Sequence, residues 1–300
     1  MGEVSLMDWY TQAEYPLAFS QLFLAMLGMG ATLHPRDLSA VFLAPRGLLA
    51  GMGAQLLVMP VLGASVAAWA GFSPGQTIGL ILVAAVPGGT LSNVVCYLTG
   101  ANYALSIALT ALSTIGCLVT TPLILQLFAA DLLPSAFAMP VAGILFDIGL
   151  GLLLPLALGM LVRTRLTPPA DQRFTKVCIR LSLVLVFLMV VGSSGSGRID
   201  GASLAFLPPW LVLFSTLGLG ISLAVAWLAR LARPERMAIG IETTLRNTNL
   251  ALLLKASLFP AAAGGVDPFS DAVLAVVVLA GGLQATPLFP AVLGFRRGWL

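Results

Sequence analysis

Charge is scarce in this sequence. Asp, Glu, Lys and Arg make up 9% of its 300 residues, where a soluble domain carries about a quarter. That shortage excludes an ordinary water-facing surface and makes a large soluble helical core a poor fit. Histidine is nearly missing, with His34 alone, placed before Pro35 in a turn. With one histidine and no Ser-His-Asp, HExxH or Walker pattern, hydrolytic and zinc chemistry lack their residues, so the chain does not read as an enzyme. Cysteine is sparse as well. Cys96, Cys117 and Cys178 are odd in number, lie in or beside apolar stretches and lack metal-ligand spacing, which predicts free buried thiols. No basic segment precedes the first apolar run, where Glu3, Asp8 and Glu14 stand instead, so a cleaved signal peptide is not expected. The pI near 9.0 is not a nucleic-acid signal, because the basic residues are scattered through short loops without exposed aromatics between them.

What the chain has in abundance is apolar sequence, 59% hydrophobic with a mean hydropathy of +1.01. It predicts an all-α polytopic membrane protein of about nine transmembrane helices, at 15–33, 47–70, 77–99, 103–129, 139–162, 177–192, 206–228, 237–259 and 269–294. With the N-terminus outside, the inner loops and helix ends hold Arg36, Arg46, Arg163, Arg165, Arg173, Lys176, Arg180, Arg230, Arg233, Arg236, Arg296 and Arg297. Only Arg198 falls outside. That bias favours N-out, C-in. Ser193-Ser194-Gly195-Ser196-Gly197 reads as a short flexible outer loop.

Two spans carry polar groups that hydrocarbon would not tolerate. The third contains Pro87-Gly88-Gly89-Thr90-Leu91-Ser92-Asn93, where proline removes a donor and the glycines weaken the helix, so it should break. A break at membrane depth must be packed in protein or line a polar cavity. The eighth contains Gly240-Ile241-Glu242-Thr243-Thr244-Leu245-Arg246-Asn247-Thr248-Asn249. An ionised residue at mid-bilayer costs roughly 2.5–3.5 kcal/mol. A Glu242–Arg246 pair one turn apart would soften that cost without explaining the amides and threonines beside it. In the fourth span Ser106, Thr110 and Ser113/Thr114 share a face, with Ser113 and Thr120 read as close-packing residues. A hard monovalent cation needs several oxygens, and Glu242, Asn93, Ser92, Ser106 and Thr110 would supply them with one negative charge. Asp147 and Lys255 are expected to snorkel or pair.

The motifs Pro87-Gly88-Gly89-Thr90-x-Ser92-Asn93, Asn102-x-Ala104-Leu105-Ser106-x-x-x-Thr110 and Ile241-Glu242-Thr243-x-x-x-Asn247-Thr248-x-Leu250-Ala251 resemble those of the bile acid:sodium symporter family. Leu27-Gly28-Met29-Gly30-x-Thr32-Leu33 and Gln55-x-x-x-Met59-Pro60 do so too. The resemblance covers nearly the whole chain and looks like that of the nine-span members. It implies inverted repeats with two crossing broken helices, a core of 47–129 and 206–294, and a panel of 15–33 and 139–192. It implies sodium-coupled symport of an organic anion such as a bile acid, pantoate or a related carboxylate, by alternating access. Na+ is then the only coupled ion, no organic cofactor is needed, and the chain sits in a bacterial inner membrane, workable as a monomer.

By the same resemblance, a first sodium site maps onto Ser92, Asn93, Ser106, Thr110 and Glu242. A second maps onto Gln55, Thr243, Leu245 and position 246. There the family usually has glutamine and this chain has Arg246, whose fixed charge would replace the second sodium or hold a substrate carboxylate. Thr90 and Asn247, with Asn249, line the substrate cavity, and Gln284 is the main polar candidate on the last span. Proton coupling through Glu242 is the alternative to sodium.

Overall fold

Charged and polar side chains are buried within the apolar interior of this molecule, while many large apolar ones face outward. Glu242 and Lys255 are 0% exposed, whereas Leu127 is 76% and Trp69 73% exposed. A chain sorted this way is solvated by lipid. The structure is a computed structural model and describes residues 6–33, 45–133, 140–167, 169–195, 201–260 and 267–298. His34, Arg36, Asp37 and Arg198 lie outside the described residues.

All described elements are helical. They are α1 (Leu6–Gly30), α2 (Pro45–Ala70), α3 (Pro74–Ala85), α4 (Thr90–Thr99), α5 (Tyr103–Ala129), α6 (Val141–Arg165), α7 (Ala170–Gly195), α8 (Gly201–Leu228), α9 (Arg233–Thr244), α10 (Thr248–Leu258), α11 (Pro268–Leu283) and α12 (Leu288–Arg296). Six helical runs among the described residues are long and apolar enough to cross a membrane: α2, α5, α6, α7, α8 and the run from α11 through α12. At about 1.5 Å per residue, α3 and α10 reach only about 16–18 Å, half of a ~30 Å hydrocarbon core. α3 is followed by a second short helix, α4, and α10 is preceded by one, α9, each across an interruption of a few residues.

Local sequence sets these boundaries. Ser73 and Gln76 cap the start of α3 reciprocally, with Pro74 in its first turn. Asn102 caps α5 and Asp267 caps α11 through side-chain oxygens. α1 packs along α6 and α7, α3 against α11, α2 and α5, and α8 against α9. The half-helix α10 touches α1, α6 and α11. Gly30 and Gly159 let α1 and α6 meet backbone to backbone: a Cβ on Gly159 would stand 2.8 Å from the Ala31 nitrogen.

Two boundaries differ from expectation. Ser193 to Gly195 are not a loop but the end of α7; Ser193 is buried and its hydroxyl donates to the Val190 carbonyl at 3.0 Å, while Ser196 and Gly197 lie outside the described residues. The last span, expected as one helix, is interrupted at 284–287. Pro287 cannot donate and disfavours helical backbone before it, so α12 restarts at Leu288.

Candidate functional site

The two interruptions lie side by side and satisfy each other. After α3, residues 86–89 run extended, with Val86 at ψ 155° and Gly89 at ψ 166°. After α9, Leu245 and Asn247 leave the helical region. Gly89 N–H donates to the Leu245 carbonyl at 2.8 Å, and Asn247 N–H donates to the Pro87 carbonyl at 2.8 Å. Gly88 and Arg246 thus form a single antiparallel bridge. Side-chain amides take up further exposed groups. Gln55 Oε1 accepts from Gly88 N–H at 3.3 Å. Gln284 accepts from the Arg246 N–H at 2.9 Å and donates to the Arg246 carbonyl at 3.3 Å. This is how irregular backbone survives where no water competes.

Against this crossing sits a cluster of oxygens. The Glu242 carboxylate, fully buried on the last turns of α9, accepts from Ser92 Oγ at 2.6 Å, from Thr110 Oγ1 at 2.9 Å and from Ser106 Oγ. Asn93 Oδ1 stands 2.8 Å from Ser106 Oγ and 3.3 Å from Thr110 Oγ1, sharing with Glu242 the single proton each hydroxyl carries. Ser92 and Asn93 come from the first turn of α4, Ser106 and Thr110 from one face of α5, and Glu242 from α9. The five residues expected to act together therefore meet at one point. A Cβ on Gly88 would run into the Glu242 carboxylate, so the glycine is a steric requirement of the cluster. The hydroxyls donate inward here; rotated, each would present lone pairs to a cation instead. Ser113 and Cys117 bond only to carbonyls three residues back, which fits a packing role.

The second group is arranged differently. Arg246 is buried, and no direct ion pair with Glu242 forms. Its Nη2 donates to the Ala84 carbonyl at 2.6 Å and its Nε to the Val83 carbonyl at 3.4 Å. Those carbonyls belong to the last turn of α3, where helix ends carry unsatisfied acceptors and partial negative charge. Gln55 Nε2, Thr243 Oγ1 and Arg246 Nη1 are buried without a hydrogen-bond partner, and the Leu245 carbonyl is taken up by Gly89.

A cavity of about 570 Å³ opens beside the crossing. Gly89, Leu91 and Val94 border it at the start of α4, and Arg246, Asn247, Thr248 and Asn249 at the start of α10. Ala25 of α1 and Ser182 of α7 close its far wall. Two helix N-termini thus border one space, with Arg246 in its wall, an arrangement that favours an anion. Asn247 reaches the cavity while capping α10, its Oδ1 accepting from Leu250 N–H at 3.2 Å. Asn249 lines it too, and its carbonyl accepts from Gln21 Nε2 at 3.1 Å. Thr90 is the first residue of α4; its side chain lies outside the described residues. Gln284 borders the cavity, but its amide is spent on the Arg246 backbone, a clamp the sequence did not reveal beyond the presence of a lone amide in an apolar span.

Away from the crossing, Lys255 of α10 pairs with Glu14 of α1 at 2.5 Å, both buried. The Tyr15 hydroxyl donates to Asp147 of α6 at 2.7 Å. Both intramembrane charges are therefore partnered, as expected.

Comparison with known proteins points the same way. The model of the sodium bile acid symporter family matches residues 20–198. The uncharacterized sodium-dependent transporter YocS of Bacillus subtilis is 30% identical over 79% of this chain and 73% of its own length. The probable chloroplastic sodium/metabolite cotransporter BASS2 of Oryza sativa subsp. japonica is 30% identical over 76% of this chain and 54% of its own. The sodium-dependent organic anion transporter of Rattus norvegicus is 27% identical over 83% of this chain and 68% of its own.

Proposed function

The chain belongs to the sodium bile acid symporter family, a family of sodium-dependent transporters and not of enzymes, and from that premise we propose that it couples sodium entry to uptake of an organic anion by alternating access. The observation that carries the proposal is the convergence of Ser92, Asn93, Ser106 and Thr110 on the buried Glu242 carboxylate. Six side-chain oxygens with one negative charge suit a single sodium ion. On this reading Asn247, Asn249 and Thr90 meet the anion, a bile acid, pantoate or another carboxylate, in the cavity beside the crossing.

Nine spans follow if each interrupted pair of helices counts as one crossing. α1, α6 and α7 then form the panel (15–33 and 139–192), and the remaining helices the core (47–129 and 206–294). With the N-terminus outside and a bacterial inner membrane as the site, the Glu14–Lys255 pair lies toward the outer face.

A one-sodium version is favoured by a specific observation. The Arg246 guanidinium already occupies the carbonyl end of α3, where a second cation would otherwise be drawn.

The test is the thermal midpoint of the purified chain in NaCl against KCl at equal ionic strength, followed by uptake of taurocholate or pantoate into proteoliposomes. Sodium should raise the midpoint of the wild type and leave Glu242→Gln unmoved, with sodium-dependent uptake lost in that variant. A midpoint indifferent to sodium but raised by acidification would assign the coupling to protons.

A further inference from the structure

A second collection of charge stands apart from the crossing, where α8 reverses into α9. Arg230 sits in the reversal at φ 56°, a left-handed conformation that costs an L-residue roughly 1–2 kcal/mol and normally falls to glycine. Leu231 N–H closes the turn on the Ala226 carbonyl at 3.1 Å. Arg233 and Arg236 follow on the first turns of α9, and Arg296 and Arg297 end α12 nearby. The acid among them, Glu235, is committed to capping α9, accepting from Ala232 N–H at 2.8 Å.

A cavity of about 340 Å³ lies between α8, α9 and α12 at this end of the bundle. Arg233 and Arg236 supply its cationic wall, and Leu223, Ala224 and Trp227 of α8 its apolar wall. Both guanidinium groups are held in place by backbone. Arg233 lies 5.7 Å from the centroid of the Phe295 ring and donates to the Phe295 carbonyl at 3.2 Å. Arg236 Nε donates to the Leu231 carbonyl at 2.8 Å, which anchors the side chain in the cavity wall that it lines. Trp227 is 62% exposed and Leu228 71% exposed, so the apolar wall continues onto the lipid-facing surface.

We propose that this cavity seats the phosphate of an anionic phospholipid. Arg233 and Arg236 bind the phosphate oxygens, and the acyl chains descend along Leu223 and Trp227. A ligand with a charged head and an apolar body matches the two unlike walls. Planar guanidinium forks suit phosphate oxygens, and basic pockets between helices near the cytoplasmic surface bind such headgroups. A free phosphate would meet the arginines but give the apolar wall nothing to cover it.

The experiment uses the full chain in detergent, titrated with phosphatidylglycerol, phosphatidylcholine or glycerol phosphate and read by native mass spectrometry. Phosphatidylglycerol should bind the wild type saturably and outcompete phosphatidylcholine. In Arg233→Gln/Arg236→Gln the apparent dissociation constant should rise roughly thirtyfold, from about a surface-lipid contribution per arginine. Arg165→Gln/Arg173→Gln removes the same charge from the facing ends of α6 and α7 and should change it less than about twofold. Equal retention in both double variants, or equal binding of phosphatidylcholine, would overturn the proposal. So would glycerol phosphate displacing phosphatidylglycerol at similar concentration, which would make the ligand a phosphate and not a lipid. A double variant that loses binding must keep the wild-type thermal midpoint; one that does not is replaced by Arg236→Gln alone, which should lose about fivefold.

Discussion

Arg246→Gln tests whether a side chain does the work of a second ion. In the structure the guanidinium is buried, donates to the Val83 and Ala84 carbonyls at the end of α3, and has Nη1 unpartnered. A unit positive charge at about 4 Å from a sodium ion would oppose it by about 4 kcal/mol at an effective dielectric near 20. That is close to a thousandfold in affinity, enough to keep a second sodium out at any ordinary concentration. Glutamine removes the charge and restores a carbonyl acceptor. It also removes two charge-assisted hydrogen bonds worth about 1.5–3 kcal/mol each, so the variant should be less stable without sodium. The assay is anion uptake, or the thermal midpoint, titrated with sodium at constant ionic strength. The wild type should give a Hill coefficient near one. The variant should move toward two and regain its midpoint as sodium rises. A wild-type coefficient near two would refute the replacement. A variant that keeps a coefficient near one and shows only a raised KM for the anion would instead make Arg246 the anchor of the substrate carboxylate.

Three further outcomes follow from the same contacts. Gly88→Ala forces a methyl into the space of the Glu242 carboxylate; overpacking of about 1–3 kcal/mol should raise the sodium concentration for half-maximal uptake by one to two decades, measured in proteoliposomes. Gln284→Leu leaves the Arg246 N–H without its partner, while the Arg246 carbonyl keeps the Thr248 N–H at 2.9 Å, so the thermal midpoint should fall as for a loss of about 1–3 kcal/mol. Lys255→Met leaves Glu14 charged and buried, with a cost of about 3–5 kcal/mol, whereas Glu14→Gln with Lys255→Met should recover most of it; a double variant no better than the single one would show that the pair is not coupled.

The first interruption was legible because its cause is local: proline and two glycines at 87–89 weaken a helix. The polar run at 240–249 marked the second by its cost in hydrocarbon and by the family resemblance, although it stays helical to Thr244 and again from Thr248. That the breaks pair with each other was not legible, because a two-residue bridge between segments over 150 positions apart leaves no periodicity to read. The interruption at 284–287 was missed for a different reason. It lies in a stretch without a charged residue, where Gly281, Gly282, Gln284, Thr286 and Pro287 are each tolerated singly in a membrane helix and only together mark a break. The seam at Ser193 was misread because serine and glycine mark loops in water, yet in a lipid-solvated bundle they serve equally to let α7 finish inside a packed seam, where Ser193 bonds back to its own helix. Ser106 and Thr110 could be placed on one face by spacing, but the helix that face meets is decided by tertiary packing.

The geometry suggests why the proposed ion and the proposed substrate would be felt by one another. Ser92 and Asn93 lie in the first turn of α4, and Glu242 lies only a few residues before the bend that begins α10. Between them stand the bridged residues, joined by the two 2.8 Å hydrogen bonds of Gly89 and Asn247. A cation drawing Glu242 and Asn93 together must fix the position of both bends, since each is within one helical turn of a ligand. The same bends set the directions of the N-termini of α4 and α10, which border the larger cavity. Remove the cation, and three hydroxyl hydrogen bonds are what remain to balance a buried carboxylate against neighbouring chain. That state is satisfied but holds the bends less tightly, because hydroxyls rotate freely where an ion would pull every oxygen toward one centre. Affinity for an anion at those N-termini would then rise with sodium through the order of the crossing itself, with no contact between the two ligands required.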